Sequence, residues 1–158
     1  MADVPKETPW WAAFPAAQSE CKQIDTEEIK SMIETYLAVE DPKERKKDWL
    51  LVDVRRTDYE GGTVATSINF PAHTLFQTRA TIFNMCKQAG VRRVLFYCGA
   101  SNGRGPRCAS WMQDYIKEIG GEAFMEAQVL KGGVKGWVKK YGGELMEYYE
   151  APYWEQFK

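Results

Sequence analysis

From Asp25 onward, apolar residues recur at Ile29, Met32, Ile33, Tyr36 and Leu37. That spacing predicts a helix with one buried face, Asp25 as its N-cap and Glu28 placed as in a capping box. Glu40 to Asp48 is too polar to bury and reads as a solvated loop rather than a binding patch. Trp49 to Val54 is a nearly continuous apolar run, the pattern of a central strand covered on both faces, with Asp53, Arg55 and Arg56 at its end. Gly61 and Gly62 mark a turn, and Val64 to Phe70 forms a second short strand that Pro71 stops. Ile82, Met85, Cys86 and Ala89 share one face of a helix that starts near Leu75 and ends at Gly90. Val94 to Tyr97 is the strongest buried-strand pattern and runs directly into Cys98. A helix with Pro106 in its first turn follows, burying Cys108, Trp111, Met112, Tyr115, Ile116 and Ile119 and ending at Gly120 and Gly121. Phe124 to Leu130 is a weaker strand, Gly132 to Tyr141 a helix, and the tail through Tyr153, Trp154 and Phe157 packs over the body. Strands alternating with helices predict an α/β fold with a parallel sheet covered on both faces.

The chain has 158 residues, 44% of them hydrophobic and 27% charged, enough for the single core of one ordinary domain. A formal net charge of -1 argues against a chain devoted to neutralising nucleic-acid phosphates. No apolar run approaches the roughly 20 residues that a bilayer span needs, and the first residues lack the pattern of a secretion signal. The expectation is a cytoplasmic protein, with the nucleus as the alternative, that binds neither nucleic acid nor membrane. The four cysteines, Cys21, Cys86, Cys98 and Cys108, form no zinc-ligand spacing, so neither metal nor structural disulfide is expected.

The chemistry concentrates in Cys98-Gly99-Ala100-Ser101-Asn102-Gly103-Arg104-Gly105-Pro106-Arg107, between a strand and a helix. A loop of small residues at a helix N-terminus points successive backbone N–H groups inward as an anion cradle, and the helix dipole reinforces it. The same field favours thiolate at Cys98. Arg104, six residues on, can fold back and offer its planar fork to a tetrahedral oxyanion, while Ser101 is placed to hydrogen-bond the thiolate. The expected chemistry is attack of Cys98 on phosphorus, arsenic or sulfane sulfur held by Gly99, Ala100, Ser101, Asn102, Gly103 and Arg104.

At this point the sequence resembles the rhodanese superfamily. Leu51-Val52-Asp53-Val54-Arg55 resembles its first signature, Glu60 its following glutamate, and Leu130 to Trp137 its closing signature, together spanning about Ile24 to Tyr141. The resemblance implies a three-layer α/β/α fold around a five-stranded, mainly parallel sheet. It also implies a catalytic domain at 23–142, between an N-terminal arm at 1–22 and an aromatic C-terminal extension at 143–158. The C-x5-R loop is one residue longer than that of ordinary sulfurtransferases and is similar to the loop of the cell-cycle dual-specificity phosphatases and of fungal arsenate reductases. The resemblance makes Cys98 the nucleophile and Arg104 the oxyanion clamp. It implies a phosphatase acting through a cysteinyl phosphate without cofactor. Its alternatives are an arsenate reductase drawing on glutathione and glutaredoxin as reductant and partner, and thirdly a thiosulfate sulfurtransferase.

Some positions depart from the cell-cycle phosphatases. Tyr97 stands where they have histidine, Val54 where they have a second cysteine, and Gly99 and Gly103 replace their loop acids. A leaving alkoxide then needs a proton from elsewhere, with Asp58 and Glu60 as candidates. Cys108 and Cys86 read as buried inert thiols sooner than as resolving partners for Cys98, and Cys21 falls in the irregular N-terminal region. His73 reads as a surface or structural residue, and Trp10, Trp11 and Phe14 as an arm packed on the domain. Arg107 is placed to flank the pocket mouth; for Arg55 and Arg56, that role and solvated strand-end charges remain open.

Overall fold

The computed structural model describes residues 8–158. Its centre is a five-stranded sheet in the order β1-β6-β5-β2-β4, every neighbouring pair parallel. The strands are β1 (Gln23–Ile24), β2 (Trp49–Asp53), β4 (Ile68–Asn69), β5 (Arg93–Tyr97) and β6 (Glu126–Leu130), while β3 (Thr63–Val64) and β7 (Met146–Glu147) form a separate antiparallel pair. The helices are α1 (Thr26–Leu37), α2 (Ala72–Leu75), α3 (Arg79–Gln88), α4 (Arg104–Glu118), α5 (Gly133–Tyr141) and α6 (Ala151–Trp154).

The period of two along β5 divides the core. Val94, Phe96 and Cys98 face one layer, packed against Ala72, Leu75, Ile82, Phe83, Cys108 and Met112 of α2, α3 and α4. Leu95 and Tyr97 face the other, packed against Ile29, Ile33, Val134, Trp137 and Trp154 of α1, α5 and α6. Continuous apolar strands thus follow from burial on both faces, as the sequence pattern implied.

Two predicted elements divide. The strand expected over Val64 to Phe70 breaks at Thr66, whose φ of 72° turns the chain, so Val64 pairs with Met146 while Ile68 pairs with Val52. The helix expected from Leu75 begins earlier as α2, passes through a 3-10 turn at Phe76–Thr78 and resumes as α3. At that break the Thr78 hydroxyl donates to the carbonyls of Thr74 and Leu75, and such local bonds compete with the helical ladder. Met85 and Ile119, placed on buried faces by periodicity, are 48% and 44% exposed. Met85 lies in the last turn of α3, and Ile119 directly follows α4. Asp25 occupies the N-cap position of α1 without a side-chain capping bond.

At the N-terminal side, Trp10 stacks on His73 with ring centroids 4.3 Å apart, and Phe14 stacks on Phe76 at 4.9 Å. The Trp111 indole donates to the Pro15 carbonyl at 2.9 Å, and the Asp114 carboxylate accepts from the backbone N–H groups of Gln18 and Ser19. At the other end Trp154 is 4% exposed and donates to the Gly61 carbonyl at 2.8 Å. Among the described residues no helix is long and apolar enough to cross a membrane, and no three His, Cys, Asp or Glu side chains gather as a metal-binding group.

Candidate active site

Three adjacent parallel strands deliver the site at their C-terminal ends, where open α/β sheets form crevices. The central one, β5, ends at Tyr97 and releases the loop 98–103 into the N-terminus of α4. Its neighbour β2, in register through Asp53 and Tyr97, releases the segment that carries Asp58. Its other neighbour, β6, leads into α5, whose first turn holds the loop: the N–H of Val134 donates to the Cys98 carbonyl at 3.1 Å and that of Lys135 to the Gly99 carbonyl at 2.8 Å. With these carbonyls drawn outward to α5, the loop is free to present its N–H groups on its other side. Gly133, with φ of 61°, lies so close that any Cβ would collide with the Cys98 and Gly99 carbonyl oxygens.

Cys98 is 3% exposed. Its Sγ accepts the backbone N–H of Gly105 at 3.3 Å, a donor from the first turn of α4. The helix begins at Arg104, two residues ahead of Pro106, so proline falls in the first turn, where its missing N–H costs no helical bond. Among the described residues, the backbone N–H groups of Gly99, Ala100, Ser101, Asn102 and Gly103 have no protein acceptor, whereas that of Cys98 donates to the Ser101 Oγ at 3.3 Å. Ser101 sits in the left-handed region at φ 54° and is 4% exposed. Its hydroxyl oxygen accepts the Cys98 N–H and so braces the loop backbone.

The Arg104 guanidinium is engaged end-on by one carboxylate: Nη1 donates to Asp58 Oδ1 at 2.8 Å and Nη2 to Oδ2 at 2.6 Å. These charge-assisted bonds hold the Asp58 carboxyl at about 2, well below the usual carboxylate range, so it is ionised in the free protein. Glu60, given the family's glutamate position by the sequence, is exposed and contributes its backbone carbonyl to Arg55. The acid that reaches the loop is Asp58.

Arg55 is neither a solvated strand-end charge nor a mouth residue. It is 1% exposed and forks onto Asp53, with Nε and Nη2 donating at 2.8 to 3.1 Å, while its remaining donors take the carbonyls of Asp58, Glu60 and Gly62. Arg56 stays exposed. Arg107 stacks over the Trp11 ring at 3.9 Å, beside a groove lined by Trp11, Phe14, Asn102, Gly103 and Pro106 that opens next to the loop. Tyr97, in place of histidine, is buried; its hydroxyl meets the Thr63 and Ser67 hydroxyls at 2.7 Å and accepts the Val64 N–H. It anchors the turn at Thr66 from the face opposite Cys98.

His73, stacked under Trp10, lies within electrostatic reach of Arg104, Arg56 and Asp58, and burial is the first cause that lowers its pKa. Nothing local in the sequence places it near the loop, since residues 73 and 104 meet only through the fold. The other thiols are free and raised by burial: Cys86 to about 11, Cys21 to about 11, and Cys108, on the buried face of α4, higher still.

The model of the rhodanese-like domain family matches residues 30–140, and the chain belongs to that family. It is 24% identical over 120 residues to arsenical-resistance protein 2 of Saccharomyces cerevisiae, covering 72% of this chain and 85% of that protein. It is 27% identical over 128 residues to dual specificity phosphatase ibp1 of Schizosaccharomyces pombe, covering 65% of this chain and 91% of that protein. Among solved structures, an As-Sb reductase from Leishmania major superposes with a TM-score of 0.66 at 21% identity, over 80% of this chain and 84% of that one. Saccharomyces cerevisiae Ygr203w, described as a homolog of single-domain rhodanese and the Cdc25 phosphatase catalytic domain, superposes with a TM-score of 0.68 at 24% identity, over 85% and 91%. These superpositions establish the α/β fold with its five-stranded central sheet.

Proposed function

We propose that this protein is a thiolate-dependent oxyanion enzyme, in the first instance a phosphatase. The observation that carries the reading is a run of backbone N–H groups, Gly99 to Gly103, that have no protein acceptor among the described residues and directly follow a cysteine whose Sγ accepts the Gly105 N–H. Such a cradle neutralises the equatorial oxygens of a tetrahedral anion while the helix dipole favours thiolate below it. Cys98 attacks phosphorus, the S–P bond forms as the ester P–O bond breaks, and the departing oxygen takes a proton. Water then cleaves the cysteinyl phosphate, releasing phosphate and restoring the thiolate. Arg104 supplies the clamp for the developing charge.

Arsenate reduction is the second reading, and the state of Asp58 favours it. An ionised Asp58 is no proton donor in the free enzyme, and arsenate has no bulky alkoxide to expel. There Cys98 displaces an arsenate oxygen as water, forming an S–As bond. Two thiols are then oxidised to a disulfide as arsenic takes two electrons and leaves as arsenite. Glutathione and glutaredoxin are the reductant and partner in this reading, because Cys86 and Cys108 are buried with raised pKa.

The test runs wild type and Cys98→Ser side by side on an aryl phosphate, on arsenate with glutathione and glutaredoxin, and on thiosulfate with cyanide. The expected result is phosphate release or arsenate reduction that falls by about a thousandfold or more in the mutant, the relative rates ranking the two readings. Activity confined to sulfur transfer would make the protein a sulfurtransferase and sink both.

A further inference from the structure

The segment that carries Asp58 is fixed from beneath by a buried cation. Arg55, itself paired with the fully buried Asp53, donates to the Asp58 carbonyl at 3.3 Å, to that of Glu60 at 3.0 Å and to that of Gly62 at 2.7 Å. The Arg56 N–H adds a bond to Asp58 Oδ1 at 3.3 Å. The backbone under Asp58 is thus built, and it delivers the carboxylate to both terminal nitrogens of Arg104. A carboxylate seated on a guanidinium fork uses the donor pair that matches two oxygens of a tetrahedral oxyanion.

We propose that Asp58 is an internal anion that holds the Arg104 fork in the free protein, and that an incoming divalent oxyanion displaces it and leaves the released carboxylate to take up a proton. The inference rests on the oxyanion reading of the loop. Its physical content is an exchange of partners. Before exchange, Arg104 bonds and charge keep Asp58 ionised. Afterwards Asp58 has lost that cation and faces a divalent anion, and both changes favour its protonated form. The balance is one oxyanion bound, one Asp58–Arg104 pair broken, and up to one proton taken from solvent. The gain is selectivity: weakly bound monoanions leave the fork occupied.

Asp58 is acted on by Arg104 from α4 and by the Arg56 N–H of its own segment, and acts in turn on Arg55, on His73 from α2 and on Tyr153 from α6, which Glu60 also reaches; Cys98 acts on Arg104. His73 can exchange a proton close to a bound anion, and Cys98 is the proposed nucleophile, whose thiol can react with one. The experiment therefore uses Cys98→Ser as the parent, which removes the thiol, and compares it with the same protein carrying Asp58→Asn or Asp58→Ala, all of which keep His73.

Sulfate is the probe, because it remains a dianion between about pH 8 and about pH 4.5, where carboxylates and histidine titrate. Binding is followed by calorimetry in two buffers of different ionisation enthalpy, which counts protons taken up. In the parent, affinity rises as pH falls, by up to about tenfold per unit for one linked proton. In both Asp58 variants sulfate binds about fivefold tighter at neutral pH, the change expected when a partly exposed ion pair no longer has to be broken. Their proton uptake shrinks to the part owed to His73. Equal affinity and equal uptake in parent and variants would overturn the exchange, and so would weaker binding in the variants, which would make Asp58 a support for the fork. Absence of sulfate binding from all three proteins, each shown folded by circular dichroism, would instead remove the oxyanion reading itself.

Discussion

Asp53 and Arg55 show how much a residue's meaning depends on what covers it. On the sequence they are charges at a strand end; in the fold both are buried, and the arginine satisfies a carboxylate and three backbone carbonyls together. Removing one partner strands the other in an apolar interior. Arg55→Met is therefore expected to cost about 3–5 kcal/mol, read from urea unfolding, because the fully buried Asp53 is left without its partner. A loss within about 0.5 kcal/mol would show that water reaches Asp53. The same variant releases the carbonyls of Asp58, Glu60 and Gly62. Its effect on oxyanion binding thus tests how firmly the Asp58 segment must be held.

Elements converge on the loop by a division of labour. The strand β5 ends beneath it, α4 supplies the Gly105 N–H to the sulfur, and α5 ties back the Cys98 and Gly99 carbonyls. This last contact depends on a glycine at 133, where the positive φ and the two carbonyl oxygens leave no place for a side chain. Gly133→Ala is expected to destabilise the protein by about 1–3 kcal/mol through backbone strain and the displaced carbonyls. Oxyanion affinity should fall more than tenfold while the rest of the sheet survives, which thermal melting and sulfate titration measure together. An alanine variant with parental melting and affinity would mean that α5 does not shape the loop.

At the scale of the whole molecule, burial of titratable groups sets a window of stability. His73 is held below its ordinary 6.5 by burial. The unfolded chain therefore binds its proton more readily, and stability drops as pH falls through 6.5 towards the folded value. Asp58, at about 2 against an ordinary 3.8, contributes stability that is present above 3.8 and lost on the way down to 2. That contribution is modest, at most about 1 kcal/mol, because the pair is partly exposed. Cys21 and Cys86 are raised from 9.0 to about 11, so the thiol form is favoured in the fold. Their contribution is complete below 9 and lost as pH rises to 11. Melting temperatures recorded across pH should thus form a plateau between about 6.5 and about 9 with a decline on both sides. Cys86→Ala should soften the alkaline decline; an unchanged alkaline limb would show that Cys86 is not its source.

The buried strands, the α4 pattern and the loop from Cys98 to Arg104 were legible in the sequence, because apolar runs, helical periodicity and small residues before a proline are local properties of the chain. The same holds for membership in the rhodanese-like family, whose signatures are contiguous. The break at Thr66, the burial of Arg55, the place of His73 and the pairing of Asp58 with Arg104 were not legible. Each depends on residues distant in sequence, such as Met146 against Val64 or Asp58 against Arg104 across neighbouring strands. Local spacing determined which residues could form a nucleophile and a cradle. Only the tertiary structure decided which acid meets the arginine, because register between β2 and β5 and the buried cation below them place Asp58, and leave Glu60 exposed, at the mouth of the loop.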